Sequence, residues 1–232
     1  MIVDKINCVG CNKKKCIINK YCGDDLKSVI TEAKQDFLIE AEQVIFKEGQ
    51  KVLGIYLIYS GKVKVLNTLG NKQESIIRLA SDGDILGHRG YGGKDPVYPV
   101  SAITLERSHV AFIPNEVFMN ALQTNAELCF SLMMFYADEL KKSEIRTAKQ
   151  IYMPTLNRIA ASLLMAADTF GYAGKTKKLA FSPSRTDLAK MTNTTYASLI
   201  RGIKELEGKK YITLQKKEII ISNEEKLREL AM

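Results

Sequence analysis

The chain has 232 residues with 34 Lys and Arg against 26 Asp and Glu, a formal net charge of +8, and 46% of it is hydrophobic. That length can bury a substantial core and accommodates two modest domains. No uninterrupted apolar run approaches the ~20 residues that span a bilayer, and the start of the chain, with Asp4 and Lys5 and no apolar stretch before the cysteines, does not resemble a secretory signal, so a cytoplasmic protein is expected.

First in chain order comes a set of cysteines, Cys8, Cys11, Cys16 and Cys22, spaced C-x2-C-x4-C-x5-C. In a cytoplasmic chain such a cluster favours a metal over disulfides, because the compartment keeps thiols reduced. From Phe37 to about Phe112 short β-rich runs alternate with turns: Gln43 to Lys47, Gly54 to Ser60, Lys62 to Leu66, Ile76 to Leu79 and Ser108 to Ile113. This rhythm predicts a compact antiparallel barrel or roll with no long helix inside it. After Pro114 the pattern changes. Ala126, Phe130, Met133, Ala137 and Leu140 recur at spacings of four and three, a heptad seam in a helix predicted over about 125–150. A helix packed on its own domain gives a similar stripe, so a dimer interface and self-packing both stand as readings. Cys129, in the same helix, reads as a core residue. Pro154 opens a further helix, Thr155 to Asp168, with Ile159, Leu163 and Ala167 inward, which puts a hinge near residues 151–154.

Residues 182–221 carry two short helices across a tight turn, then a hairpin. Ser184 with Asp187 three residues on makes a capping box, and Leu188 and Met191 supply an inward face. Thr192-Asn193-Thr194 breaks the period. A second helix, Thr195 to Glu207, sets Leu199, Ile203 and Leu206 on one side and Ala197, Ser198, Arg201, Lys204 and Glu205 on the other. Gly208 suits the left-handed position that ends a helix, and Tyr211–Leu214 and Glu218–Ile221 pair as a wing across residues 215–217. From Ile151 onward there are 14 Lys and Arg against 8 Asp and Glu, so +6 of the net charge lies in the last third and points to a polyanion.

Barrel, long heptad helix and winged helix-turn-helix, in that order, resemble the Crp/Fnr family of bacterial transcription regulators over essentially the whole chain. Gly49, the run Gly54 to Val65, and Asp82-Gly83-Asp84-Ile85-Leu86-Gly87 look like that family's β-roll glycine turns. The resemblance implies an α+β fold: a cysteine-rich tail over 1–23, an antiparallel β-roll sensor domain like a cyclic-nucleotide-binding jelly roll over 24–120, a long dimerisation helix over 121–151 and a winged helix-turn-helix over 152–232. It further implies a parallel homodimer, a palindromic double-stranded DNA operator entered by two recognition helices, and RNA polymerase as a partner.

Departures narrow what carries over. Where relatives that bind cyclic AMP hold a Glu for the ribose and an Arg and a Ser for the phosphate, the comparable positions here, in the segment after Gly87, are His88, Val100 and Ser101. Val100 cannot neutralise a phosphate, so cyclic AMP bound in the usual way is not expected, although Arg89 or Lys94 could supply charge for another anionic effector. In the recognition helix, Tyr196, Ala197 and Arg201 stand where well-known members carry Arg, Glu and Arg. Arg201 can bridge to guanine and Ala197 can touch a thymine methyl, so the operator should differ from the usual half-site. Thr192, Thr194, Thr195 and Ser198 are candidate phosphate or base contacts, with Lys190, Lys204, Lys209, Lys216 and Lys217 as electrostatic support.

The family's oxygen-sensing branch holds a [4Fe–4S] cluster on amino-terminal cysteines plus one distal cysteine in the β-roll. Cys16-x5-Cys22 resembles the last amino-terminal pair, while the distal position is Ala111, so the fourth ligand would come from Cys8 or Cys11. Four thiolates satisfy zinc or an iron–sulfur cluster, and the spacing does not choose between them or exclude redox-active thiols without metal. The alternative class is a metal-dependent β-roll enzyme with a helical appendage. Two histidines, His88 and His109, are too few and too far apart for the usual barrel metal site, and no Ser/His/Asp set, P-loop or carboxylate pair stands out, so no enzymatic activity is expected.

Overall fold

The computed structural model describes residues 1–70, 73–174 and 176–232. It divides into two compact units, Met1–Thr68 with Ala80–Lys141, and Leu69–Leu79 with Lys142–Met232. The chain begins with β1 (Ile2–Val3), α1 (Ile17–Tyr21) and α2 (Asp24–Ala33). Strands β2 (Gln35–Ile39), β3 (Val44–Phe46), β4 (Gly54–Ser60), β5 (Val63–Leu69), β6 (Gln73–Ala80), β7 (Ile85–Leu86), β8 (Ser101–Thr104) and β9 (Ser108–Pro114) then build two sheets. Their orders are β1-β2-β9-β4-β7 and β3-β8-β5-β6, the predicted antiparallel roll.

Alternation along β4 and β9 sorts side chains to two faces. Tyr56 and Phe112 point one way and meet at 5.0 Å between ring centroids, while Phe46 of the other sheet lies 5.4 Å from Tyr56 and stacks at 4.3 Å on Tyr98. These rings join the two sheets. Ile55, Leu57, Ala111 and Ile113 point the other way, into a buried cluster with Ile18 and Cys22 from the α1 segment and Ile30 from α2. The same cluster takes in Phe118 and Ala121 of α3 (Asn115–Thr124) and Leu128 and Leu132 of α4 (Ala126–Tyr152). The amino-terminal segment thus covers one face of the five-stranded sheet.

α4 matches the helix predicted over about 125–150, and α3 ends just before it. Asn125 leaves the helical region at φ −127° and ψ 97°, and its carboxamide oxygen accepts the Leu128 N–H at 2.9 Å while its amide donates to the Tyr21 carbonyl at 2.9 Å. That capping side chain starts α4 afresh. Cys129 is exposed on α4, which corrects its reading as a core residue.

In the second unit α5 (Thr155–Phe170) buries Ile159, Leu163 and Ala167. α6 (Arg185–Met191) and α7 (Tyr196–Gly208) bury Leu188, Met191, Leu199, Ile203 and Leu206, as their periodicity predicts. Ser184 Oγ accepts the Asp187 N–H at 3.0 Å and donates to the Asp187 carboxylate at 2.8 Å, so the capping pair closes hydroxyl to carboxylate. Gly208 is the last helical residue; the left-handed position falls instead on Lys210, φ +60°, where the Tyr211 N–H reaches the Leu206 carbonyl at 3.0 Å. The wing is β10 (Ile212–Gln215) against β11 (Glu218–Ile221), turning through Lys216 at φ +57°. Leu179 donates to the Ile219 carbonyl at 3.1 Å, adding a third extended segment to this sheet, and α8 (Glu224–Leu230) closes the chain. No helix among the described residues is long and apolar enough to cross a membrane.

Candidate nucleic-acid interface and sensor elements

α7 presents one face outward because its other face is buried. Tyr196 is 57% exposed, Ala197, Arg201 and Lys204 are exposed, and Ser198 is half-buried, while Leu199, Ile203 and Leu206 are at most 2% exposed. Thr195 caps the helix: its Oγ1 accepts the Ser198 N–H at 3.2 Å. Its hydroxyl donates to Ser198 Oγ at 3.0 Å, and Arg201 Nη2 donates to the same oxygen at 3.1 Å. One row of polar groups therefore runs along the exposed first turns of the recognition helix, with the guanidinium at its end. Lys216 and Lys217 sit exposed on the wing turn. Lys190 pairs with Glu74 at 2.5 Å, and exposed Lys209 pairs with Glu205 at 2.7 Å.

One residue changes standing. Thr192 has no exposed surface, and its hydroxyl donates to the Leu188 carbonyl at 2.8 Å and the Ala189 carbonyl at 3.2 Å, which removes it from the candidate contacts. A threonine that back-bonds a helix end satisfies the C-terminal carbonyls rather than a phosphate. Arg185 lies half-buried in the first turn of α6, where burial holds its guanidinium below the usual arginine range and nearby Tyr196 offsets that effect. A cation in a helix's first turn works against the macrodipole.

The five effector-pocket candidates sit in different surroundings. Gly87 sits at φ +79° with Tyr98 filling the space beside it, 3.0 Å from where a Cβ would stand. Tyr98 is 3% exposed, stacked on Phe46, and donates to the Gly54 carbonyl at 2.9 Å. Burial raises its phenol and pushes that of Tyr56 up to about 12, so both rings stay neutral. His88 is buried against Phe135 and Tyr136, and the Tyr136 hydroxyl donates to the His88 carbonyl at 2.6 Å. Arg89 is engaged by Glu139 of α4 at 2.6 Å. Val100 is buried, and Ser101 Oγ accepts the Glu48 N–H at 2.9 Å. The Arg89 charge is thus already engaged by α4. Sequence reasoning missed Tyr98, Tyr136 and Glu139.

The amino-terminal thiols are neighbours. Val9-Gly10 turns with Gly10 at φ +81°, bringing the Cys11 N–H to the Cys8 carbonyl at 3.3 Å. Burial raises the Cys16 thiol, and charge on Cys8 or Cys11 raises it further; burial pushes Cys22 up to about 11, with Cys16 and Cys8 adding to it. Cys8 and Cys16 lie against the cluster that contains Cys22 and Ala111. The donor types suit a soft metal. Among the described residues of this conformation no three His, Cys, Asp or Glu are grouped to hold an ion.

On α4, Phe130 is 60%, Met133 54% and Leu140 62% exposed, Ala137 is exposed too, and Leu128 and Leu132 on the opposite side are buried. The predicted seam is therefore an uncovered apolar row.

Two family patterns match the chain, the cyclic nucleotide-binding domain over residues 38–125 and the Crp-like helix-turn-helix domain over residues 157–230. The chain is 25% identical over 231 residues to the fumarate and nitrate reduction regulatory protein of Vibrio cholerae, covering 97% of this chain and 90% of that one. It is 20% identical over 201 residues to a CRP-like cAMP-activated global transcriptional regulator of Mycobacterium tuberculosis, covering 86% and 89%. Its fold matches that of FixK2 from Bradyrhizobium japonicum with a TM-score of 0.75 at 18% identity, covering 86% and 98%. The relatives from Vibrio cholerae and Mycobacterium tuberculosis are named as regulators, not enzymes.

Proposed function

Because the chain belongs to the Crp/Fnr family of transcription regulators, we propose that it acts in the cytoplasm as a homodimer that binds a palindromic operator and answers a signal other than conventionally bound cyclic AMP. The observation that carries this reading is the outer face of α7, where Tyr196, Ala197 and Arg201 stand exposed over a buried row of Leu199, Ile203 and Leu206. A second copy covers the Phe130, Met133, Ala137 and Leu140 row and sets two such faces for successive major grooves, about 34 Å apart. Arg201 reads guanine, Ala197 and Tyr196 meet the neighbouring base edge, and Thr194, Thr195 and Ser198 with Lys190, Lys204, Lys216 and Lys217 steady the backbone. RNA polymerase is the partner such a regulator addresses once bound.

Val100 and the Arg89–Glu139 pair speak against a phosphate in the roll. The signal is assigned instead to the thiols of Cys8, Cys11, Cys16 and Cys22, as donors to [4Fe–4S] or zinc or as redox-active groups in their own right; the packing of Cys8 and Cys16 against the cluster that holds Cys22 supports that assignment.

Selection of fragments from random duplex DNA, with and without reductant, should return a palindrome. In Arg201→Ala, discrimination at a single guanine falls by about 1–3 kcal/mol per half-site. Enrichment of no palindrome under either condition refutes the regulator reading for this chain. Anaerobic purification then separates the sensor readings: iron with visible absorbance, zinc at one per chain, or a colourless metal-free protein whose operator affinity still follows the reductant.

A further inference from the structure

A buried charge cluster lies under the cysteine segment, and neither DNA contact nor the roll core requires it. Lys34 and Asp36 are 2% and 1% exposed and form an ion pair, and His109 Nε2 stands 3.6 Å from Asp36 Oδ1. Asp36 Oδ2 accepts the Ile6 N–H at 2.7 Å. The position of this bond is telling. Pairing of β1 with β2 ends at Val3 opposite Asp36, so the carboxylate takes up a backbone donor just where the ladder stops. Two residues later the Cys8 N–H donates to Thr31 Oγ1 at 3.0 Å. At the far end of the segment the holding pairs, Lys13–Asp82 and Lys15–Asp84, each have one partner about half exposed. Exposed pairs contribute little.

A buried ion pair can commonly be replaced by apolar residues of similar volume without loss of stability. An apolar side chain at position 36, however, offers nothing to the Ile6 N–H. We propose that Asp36, held by its ion pair with Lys34, is the positioning residue of the sensor segment, fixing the chain two residues before Cys8 so that Cys8 and Cys16 dock on the Leu57–Ala111 face of the sheet. The inference rests on the thiol segment being the sensor, but its consequence is docking, which is measured separately.

The test is residue-resolved alkylation of the cysteines in the full-length protein, with exposed Cys129 as internal standard. The double variant Lys34→Met/Asp36→Leu removes both charges and the acceptor, whereas Lys34→Met/Asp36→Asn removes the charges and keeps an acceptor. Labelling of Cys8 and Cys16 relative to Cys129 should rise about tenfold in the first, the factor for losing one hydrogen bond to a charged group, and stay near wild type in the second. Ile6→Pro deletes the donated N–H without touching the pair and should reproduce the first result even where the double variants fold poorly. Equal labelling of wild type, Lys34→Met/Asp36→Leu and Ile6→Pro overturns the proposal. A chain with all four tail cysteines changed to serine whose operator binding is the same as wild type with and without reductant sinks the sensor reading instead, while hydrogen exchange at Ile6 in that chain still reports on Asp36.

Discussion

Gly202 lies on the buried side of the recognition helix where α7 crosses α5, and a Cβ there would stand 2.4 Å from Ile159 Cδ1, with Leu156 Cδ1 at 3.6 Å and Ile159 Cγ1 at 3.8 Å. Ile159 is fully buried, so its terminal methyl has little free space to enter. Replacing Gly202 by Ala gains about 1 kcal/mol of helix propensity and loses about 1–3 kcal/mol to overpacking. The net expectation is destabilisation by roughly 0–2 kcal/mol, because one sub-contact distance outweighs the propensity gain. Ile159→Val deletes the clashing atom and by itself removes about 0.5–1.5 kcal/mol. In that background the other contacts of the new methyl are ordinary, so Gly202→Ala should become stabilising by about 1 kcal/mol. The sign therefore reverses between backgrounds, a coupling of about 1–3 kcal/mol. Native-state hydrogen exchange of the α5 and α7 amides in the four proteins of the cycle measures it, and operator affinity should fall in Gly202→Ala and recover in the double variant. Equal effects of Gly202→Ala in both backgrounds would show that the close approach does not govern the seat of the recognition helix.

Thr192→Val should lower stability by about 1 kcal/mol through loss of its bonds to Leu188 and Ala189, while operator affinity well below the melting temperature stays unchanged; a base-selective loss would return Thr192 to the contact surface. Phe130→Asp places like charges on the uncovered α4 row, and sedimentation should report a monomer with greatly weakened palindrome binding; an unchanged dimer would place the interface elsewhere. Burial holds His109 below its ordinary 6.5 against the opposing pull of Asp36, with Lys34 adding to the depression and the Tyr59 ring beside it. The unfolded chain therefore takes up this proton before the folded one, so stability is full above 6.5 and declines as pH falls below it. His109→Gln should flatten that decline in denaturation midpoints measured across the range, and a slope unchanged by the substitution would assign it to other groups.

Much of the interface was legible in the residues themselves. Capping by Ser184 and Thr195, the inward rows of α5 to α7 and the wing are decided within three to five residues of each position, where periodicity and side-chain-to-backbone bonds act. The seam of α4 was legible for the same reason. What only the tertiary structure decided are matters of long-range partnership. Thr192 and Thr194 look alike in sequence, yet the turn buries one fully and leaves the other half-buried. Arg89 looked available for an anion until Glu139, 50 residues on, was folded against it. Nothing near Asp36 in the sequence names its partners, the backbone of Ile6, 30 residues earlier, and the ring of His109, which only the fold lays beside it. Local pattern determines which helices and strands form and which way they face; the burial of a charge and the identity of its partner are set by the meeting of segments distant in the chain, where the loss of water makes each pairing decisive.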